Sequence, residues 1–142
     1  MKTIRQLLRE KGHHIWSIEA DDSVFNAIKL MADKGIGALL VTRDGKPVGI
    51  VSERDYARKV ILKGKSSRET PVGDIMTREV IYAHPDMTVE EGLALMTAKR
   101  IRHLPVREDD ELRGIVSIGD LVKAIIEEQQ FLIEQLENYI KR

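Results

Sequence analysis

The sequence predicts an α+β protein made of two tandem β-α-β-β-α units, related by pseudo-two-fold symmetry and followed by a long C-terminal helix. The main observation is an internal repeat, because a shift of 65 residues aligns positions 21–60 with positions 86–125 without a gap. Fourteen of these 40 pairs are identical, whereas unrelated segments of this composition would share roughly two or three. The second observation is that both copies change from a helical to an extended apolar pattern at the same place.

The first half of each copy predicts a short strand followed by a helix. Short extended segments lie at Ile15–Ile18 and Val80–Ala83. Ser23 and Thr88 are suited to cap the helices that follow, and Glu91 completes a capping box with Thr88. Apolar side chains then recur with the helical period, in the first copy at Val24, Ala27, Ile28 and Met31.

The second half of each copy predicts two strands and another helix. The strands fall at Ala38–Thr42 and Val48–Ser52 in the first copy, and at His103–Arg107 and Arg113–Ser117 in the second. Asp44-Gly45 is a strong hairpin signal, whereas the second copy turns through 108–111 without glycine. We expect a helix to begin directly after the last serine of each copy.

These patterns also set the expected domain boundaries. We expect a first repeat with its N-terminal lead-in at 1–62, a connection at 63–70, a second repeat at 71–127 and a helical extension at 128–142. The lead-in Thr3–Leu8 resembles Pro71–Met76, which opens the second copy. The last helix carries an amphipathic pattern over Leu121–Ile140, and it either folds back on its own domain or packs against a second chain.

Composition excludes several classes of protein. The 142 residues carry 23 basic and 23 acidic side chains, and this balance argues against binding to nucleic acid or to an anionic membrane. The absence of cysteine excludes disulfides, thiolate metal sites and a cysteine nucleophile. No apolar run approaches the roughly 20 residues that span a bilayer, and 1–10 does not look like a signal peptide, so we expect a cytoplasmic protein.

Known catalytic patterns are also missing from the sequence. The four histidines show no metal-ligand spacing, and there is no phosphate-binding loop, dinucleotide fingerprint or nucleophile elbow. We therefore expect no catalytic residues, no bound metal and no catalytic cofactor, and thus no enzyme.

The strongest motifs lie at the end of each copy. The first copy reads Gly-Ile-Val-Ser-Glu-Arg-Asp over 49–55, and the second reads Gly-Ile-Val-Ser-Ile-Gly-Asp over 114–120. With Arg-His-Leu-Pro-Val at 102–106, these phrases resemble a stand-alone pair of CBS domains, also called a Bateman module, and the resemblance covers 3–127. It implies a regulatory sensor that binds an adenine nucleotide in the cleft between its repeats, commonly as a homodimer.

The Ser-x-x-Asp tetrads are the predicted ribose sites. Ser52 and Ser117 stand where a strand becomes a helix, and the free N–H groups of a helix N-terminus favour anions. Asp55 and Asp120 follow three residues later, and an ionised carboxylate accepts hydrogen bonds from adjacent ribose hydroxyls. The alternative is that each tetrad is only a capping box.

Further residues complete the predicted nucleotide site. Arg54, Arg58 and Lys59 open a basic stretch over 54–68, which is suited to hold phosphate but is also typical of a solvated helix face. Arg102 and His103 form a second phosphate-binding set. The base is expected against apolar or aromatic side chains, which also suit a core position, at Ile15, Trp16, Ile81, Tyr82, Leu104 and Pro105.

The resulting hypothesis is a sensor that reports nucleotide occupancy to a regulated protein partner by population shift. The candidate ligands are AMP, ADP, ATP and NAD. The alternative hypothesis is a structural or interaction dimer that binds no nucleotide and pairs through Leu121–Ile140.

Overall fold

The computed structural model describes residues 1–141, which form two compact units. The central unit is Ile15–Val80, and the terminal unit joins Met1–His14 to the chain from Ile81 onward. In chain order the elements are α1 (Ile4–Lys11), β1 (Ser17–Glu19), α2 (Val24–Lys34), β2 (Ala38–Arg43), β3 (Lys46–Ser52), α3 (Glu53–Tyr56, continued by a π-helical turn at Ala57–Ile61), a 3-10 turn (Val72–Asp74), α4 (Val89–Lys99), β4 (His103–Glu108), β5 (Glu111–Ser117) and α5 (Ile118–Ile140).

The central unit contains a three-stranded sheet with the order β1-β2-β3. β1 pairs with β2 in parallel, and β2 pairs with β3 in antiparallel register from Ala38↔Ser52 to Arg43↔Lys46. Asp44 and Gly45 both adopt left-handed conformations, with φ of 53° and 78°, which is the geometry of a type I′ hairpin. α2 covers the core of this unit with Val24, Ala27 and Met31, and Ser23 caps it as predicted.

The terminal unit repeats this arrangement with a shorter sheet. β4 and β5 form an antiparallel pair, and Asp109 and Asp110 take up the left-handed turn. The strand predicted at Val80–Ala83 is reduced to a bridge between Ala83 and Val106.

Prolines explain the missing strand of the terminal unit. In the central unit, Leu40 N–H donates to Trp16 and Ala20 N–H donates to Thr42. The positions 65 residues later are Pro105 and Pro85, which have no N–H to donate. Two ladder hydrogen bonds of the first copy therefore cannot form in the second.

The lead-in segments pack differently from the predicted domain boundaries. α1 belongs to the terminal unit, where Ile4 N–H donates to Met87 and Arg5 N–H to Pro85. The segment 71–80 belongs to the central unit, where Val72 N–H donates to Asp22 and Gly73 N–H to Ala20. Each lead-in therefore packs on the repeat that it does not precede in the chain.

The connection at 63–70 is also part of the central unit. The backbone N–H groups of Val24 and Phe25 donate to Thr70 and Ser67, so this segment satisfies free donors at the start of α2. The compact units divide the chain at 14/15 and 80/81, and the boundaries at 62/63 and 70/71 stay a prediction about the sequence repeats.

The long last helix is confirmed, and it extends well beyond the residues that pack in the terminal core. Leu121 and Ala124 are buried in the terminal core. The side chains from 129 to 141 are exposed, among them Phe131, Leu132, Ile133, Leu136, Tyr139 and Ile140. The structure therefore does not show the predicted alternative of a helix folded back on its own domain. No helix within 1–141 is long and apolar enough to cross a membrane.

Candidate functional site

Both Ser-x-x-Asp tetrads form capping boxes. In the central unit, Ser52 Oγ accepts from Asp55 N–H at 3.2 Å, and Asp55 Oδ2 accepts from Ser52 N–H at 2.9 Å. In the terminal unit, the same two bonds between Ser117 and Asp120 measure 3.1 and 2.8 Å. Both tetrads therefore cap their helices, and ribose binding stays a prediction.

A lysine is paired with the carboxylate of each tetrad. Lys59 Nζ lies 3.1 Å from Asp55 Oδ1 and also donates to the Ile75 carbonyl at 2.9 Å. Lys11 Nζ lies 2.7 Å from Asp120 Oδ2 and donates to the Ile115 carbonyl at 2.6 Å. The sequence indicated Lys59 as a phosphate ligand, whereas in this structure it binds the tetrad itself.

Lys11 is a site residue that sequence reasoning missed. It stands in the last turn of α1, 109 residues before the carboxylate that it contacts. No local pattern links two positions so far apart, and only the packing of α1 on the terminal unit brings them together.

Neighbouring groups shift the pKa values of Asp120 and His103 at the terminal tetrad. Burial favours the protonated form of Asp120, but the Lys11 ammonium and the Ser117 N–H together hold the pKa of its carboxyl below the ordinary value. Burial lowers the pKa of His103, and the Lys11 charge lowers it further against the opposing effect of Asp120. At neutral pH the Asp120 carboxylate is therefore ionised and the neighbouring His103 imidazole is neutral.

The predicted phosphate ligands lie around both tetrads. Arg54 is half-buried in the first turn of α3, and Arg58 is exposed one turn later. Arg102 is exposed, and its carbonyl accepts from Ile118 N–H at 2.9 Å. His103 pairs with Ser117 in the β4–β5 register. Each unit thus brings cationic or titratable groups to its own tetrad.

The predicted base-binding residues are less accessible than expected. Leu104 is 0% exposed in the terminal core, so its side chain packs inside the unit, and its contact with a base stays a prediction. Pro105 is also buried, and Ile81 packs against the same core. Leu104 and Pro105 lie in core packing because α4 contacts β4 and α5 contacts the paired strand β5.

The aromatic candidates carry cations on their rings. Lys34 Nζ lies 4.3 Å from the centroid of Trp16, and the Arg107 guanidinium lies 3.8 Å from that of Tyr82. Half-buried Ile15 precedes Trp16. A purine that stacked on either of these faces would displace a cation–π contact.

Comparison with known proteins decides the family. A family model described as CBS domain matches residues 3–62 and 72–127. The chain belongs to the CBS domain family. Its two CBS repeats are thus the two copies that the 65-residue shift detects.

Two relatives align with nearly the whole chain. The mitochondrial CBS domain-containing protein CBSX3 of Arabidopsis thaliana is 41% identical over 149 residues, covering 98% of this chain and 72% of that protein. A solved protein with CBS domains from Burkholderia ambifaria is 50% identical, with a TM-score of 0.87 over 90% of this chain and 96% of the other.

One solved relative contains adenosine ligands. It is a CBS domain pair in complex with 5′-methylthioadenosine and S-adenosyl-L-methionine, and it is 26% identical to this chain. Its TM-score is 0.79, covering 90% of this chain and 98% of that chain.

Proposed function

We propose that this CBS pair is a regulatory module that binds an adenine nucleotide and signals its occupancy to a protein partner. AMP, ADP, ATP and NAD are the candidate ligands. The ribose binds at the Ser-x-x-Asp tetrads, and the ligand lies in the cleft between the repeats as the family resemblance implies. The nucleotide acts by stabilising the arrangement of the repeats that it binds best.

The observation that carries this proposal is the repetition of one tetrad geometry in both CBS repeats. The serine and aspartate bonds agree between the units to within about 0.1 Å. Each carboxylate has a lysine beside it, and Arg54, Arg58, Arg102 and His103 stand near the tetrads as further groups for phosphate. A diol acceptor next to cations suits a phosphorylated ribose.

The adenosine class is supported by the relative solved with adenosine ligands. NAD is a candidate because it contains adenosine, and each of its two riboses offers a diol of the kind that an aspartate carboxylate accepts. No general base, metal set or nucleophile was expected from the sequence, so we propose binding without catalysis. The cytoplasmic location stays a prediction from the sequence.

Calorimetric titration with AMP, ATP, NAD and S-adenosylmethionine tests the proposal. We expect binding of at least one adenine nucleotide, and its loss in Asp120→Ala or Asp55→Ala. Glu91→Ala is the matched control, since Glu91 completes the capping box of α4 outside the tetrads. All three changes remove a capping carboxylate, and the two aspartate changes also leave Lys59 or Lys11 without its carboxylate partner, so a ribose role is indicated when binding is lost in a variant that stays folded. No binding to any of the four ligands at millimolar concentration would contradict the proposal.

A second candidate function is an interaction module that pairs through α5. The observation that favours it is the exposed apolar series from Phe131 to Ile140, in which Leu132 and Leu136 are 54% and 62% exposed. We propose a second copy of this chain as the occupant, because Leu132, Leu136 and Ile140 recur at the four-residue spacing of a helix–helix seam.

Truncation after Ile126 tests the pairing. Light scattering on the full chain should give a dimer, and the truncated chain should be a monomer with an intact terminal core, since the last buried residue of α5 is Ala124. A dimer that survives the truncation would place the interface elsewhere.

A further inference from the structure

The lead-ins of the two units place different residues at equivalent positions. Arg5 N–H donates to Pro85 and Gly73 N–H donates to Ala20, and these two carbonyls are 65 residues apart. Arg5 in the terminal unit and Gly73 in the central unit are therefore counterparts. One carries a long cationic side chain, and the other carries none.

In the terminal unit the Arg5 side chain lies between two carboxylates. Arg5 Nη2 donates to Asp86 Oδ1 at 3.0 Å and to Glu108 Oε2 at 2.6 Å, and Nη1 donates to Glu108 Oε1 at 3.1 Å. Asp86 and Glu108, with His84, are also close enough to surround a metal ion. The guanidinium already supplies the cation that these carboxylates need.

In the central unit no side chain corresponds to that of Arg5, because Gly73 stands at this position. Asp21 stands where Asp86 stands in the other repeat, but Arg43 replaces Glu108 and Gly73 replaces Arg5. A cavity of about 520 Å³ lies here, and its charged lining residues are Glu19, Asp21, Arg43, Asp44, Asp74 and Arg78. A Cβ on Gly73 would lie 3.2 Å from the Ala20 carbonyl and 3.4 Å from Arg43 Nη2, so the glycine allows the Arg43 guanidinium to lie close to the floor of the cavity.

The charged side chains that line this cavity are exposed to solvent. Within residues 1–141, neither Arg43 nor Arg78 forms an ion pair, and neither do Asp21 and Asp74. Glu19 accepts a hydrogen bond from Thr42. Carboxylates outnumber arginines along the lining, so the cavity favours a ligand that carries a cation together with one carboxylate.

We propose that this cavity binds a zwitterion of the arginine class. Its guanidinium takes the place beside Asp21 that Arg5 takes beside Asp86, and its carboxylate binds Arg43 and Arg78, whose forks match it bidentately. The cavity lies at the Arg43 end of β2, whereas Ser52 pairs with Ala38 at the other end. This site is therefore separate from the tetrads, and its failure would leave the nucleotide proposal untouched.

Nuclear magnetic resonance titration of the full chain with L-arginine tests the proposal. We expect saturable shifts at residues lining the cavity with a Kd of about 1 mM. Gly73→Arg should abolish them, because it supplies the side chain that fills the site in the other repeat. Asp21→Asn should weaken binding by about tenfold, and Asp33→Asn, which removes an acid of α2 outside the cavity, should leave it unchanged.

Analogues of arginine separate the contacts and the source of the ligand. Citrulline, which lacks the guanidinium, and arginine amide, which lacks the carboxylate, should each bind about tenfold more weakly or not at all. N-acetylarginine that binds as well as arginine indicates the C-terminus of a peptide, and weaker binding indicates the free amino acid. Equal binding of citrulline, arginine binding unchanged in folded Gly73→Arg and Asp21→Asn, or no shift at about 50 mM arginine would each overturn the proposal.

Discussion

Replacing Leu8 by alanine should destabilise the terminal unit far more than the central unit. Leu8 is 1% exposed and belongs to the terminal core with Leu104 and Leu121. By sequence order alone it would belong to the first repeat, which forms most of the central unit. The substitution therefore tests the packing of the lead-in directly.

The magnitude follows from the complete burial of this side chain. Leu8 fills the space above Gly114, where its Cδ2 lies 2.8 Å from the place of a Cβ on that glycine. Gly114 has no side chain that could move into the gap, so the cavity stays largely open on that side. Buried leucine-to-alanine changes of this kind cost about 3 kcal/mol, which corresponds to roughly a hundredfold rise in the opening equilibrium.

Amide hydrogen exchange measures this effect unit by unit. We expect protection to fall about a hundredfold across α4, β4 and β5, with little change in β2 and β3. Met76→Ala is the matched control, because Met76 packs in the same way against Gly49 in the central unit. A larger loss of protection in the central unit than in the terminal unit on Leu8→Ala would refute the reasoning.

Three further changes test local features of the terminal unit. Asp110→Gly should raise the free energy of unfolding by about 1 kcal/mol, measured by urea denaturation, because Asp110 has a φ of 64° where the first copy has Gly45. The free energy of unfolding should fall as the pH drops through the ordinary histidine range, because the lowered pKa of His103 means that the unfolded chain takes up this proton more readily; His103→Gln should remove that slope. Lys11→Met should raise the pKa of Asp120, measured by carboxyl carbon titration, since the ammonium is the main group that lowers it.

Much of the fold could be predicted because its signals are local. The helix caps Ser23 and Thr88, the Asp44-Gly45 turn and the hairpin strands each depend on residues within a few positions of one another. In a hairpin the turn sets the register, so the Asp44-Gly45 turn also determines how β2 pairs with β3.

The features that the sequence could not predict depend on distant pairs. The exchange of the lead-ins joins Ile4 to Met87 and Val72 to Asp22, and both lead-ins carry the same apolar pattern, which fits either repeat. The loss of the second copy's first strand was readable in principle, because Pro85 and Pro105 remove its donors. By contrast, no pattern in the sequence indicated that Lys11 contacts Asp120.

The lysine contact leaves a carboxylate oxygen for a ribose diol at one tetrad and competes with the diol at the other. An ionised carboxylate offers about four lone-pair sites. Asp120 uses Oδ2 for both Ser117 N–H and Lys11, so these two contacts share one carboxylate oxygen. Asp55 uses Oδ2 for Ser52 and Oδ1 for Lys59.

A ribose diol can therefore bind Asp120 without breaking a contact, whereas at Asp55 it must displace or share Lys59. We expect Asp120→Asn to weaken nucleotide binding more than Asp55→Asn, by about tenfold in Kd, in calorimetric titration. Lys59→Met should narrow this difference by freeing Asp55 Oδ1, at the cost of the Lys59 bond to the Ile75 carbonyl. Equal losses at the two aspartates would show that the occupancy of the carboxylate oxygens does not determine where the ribose binds.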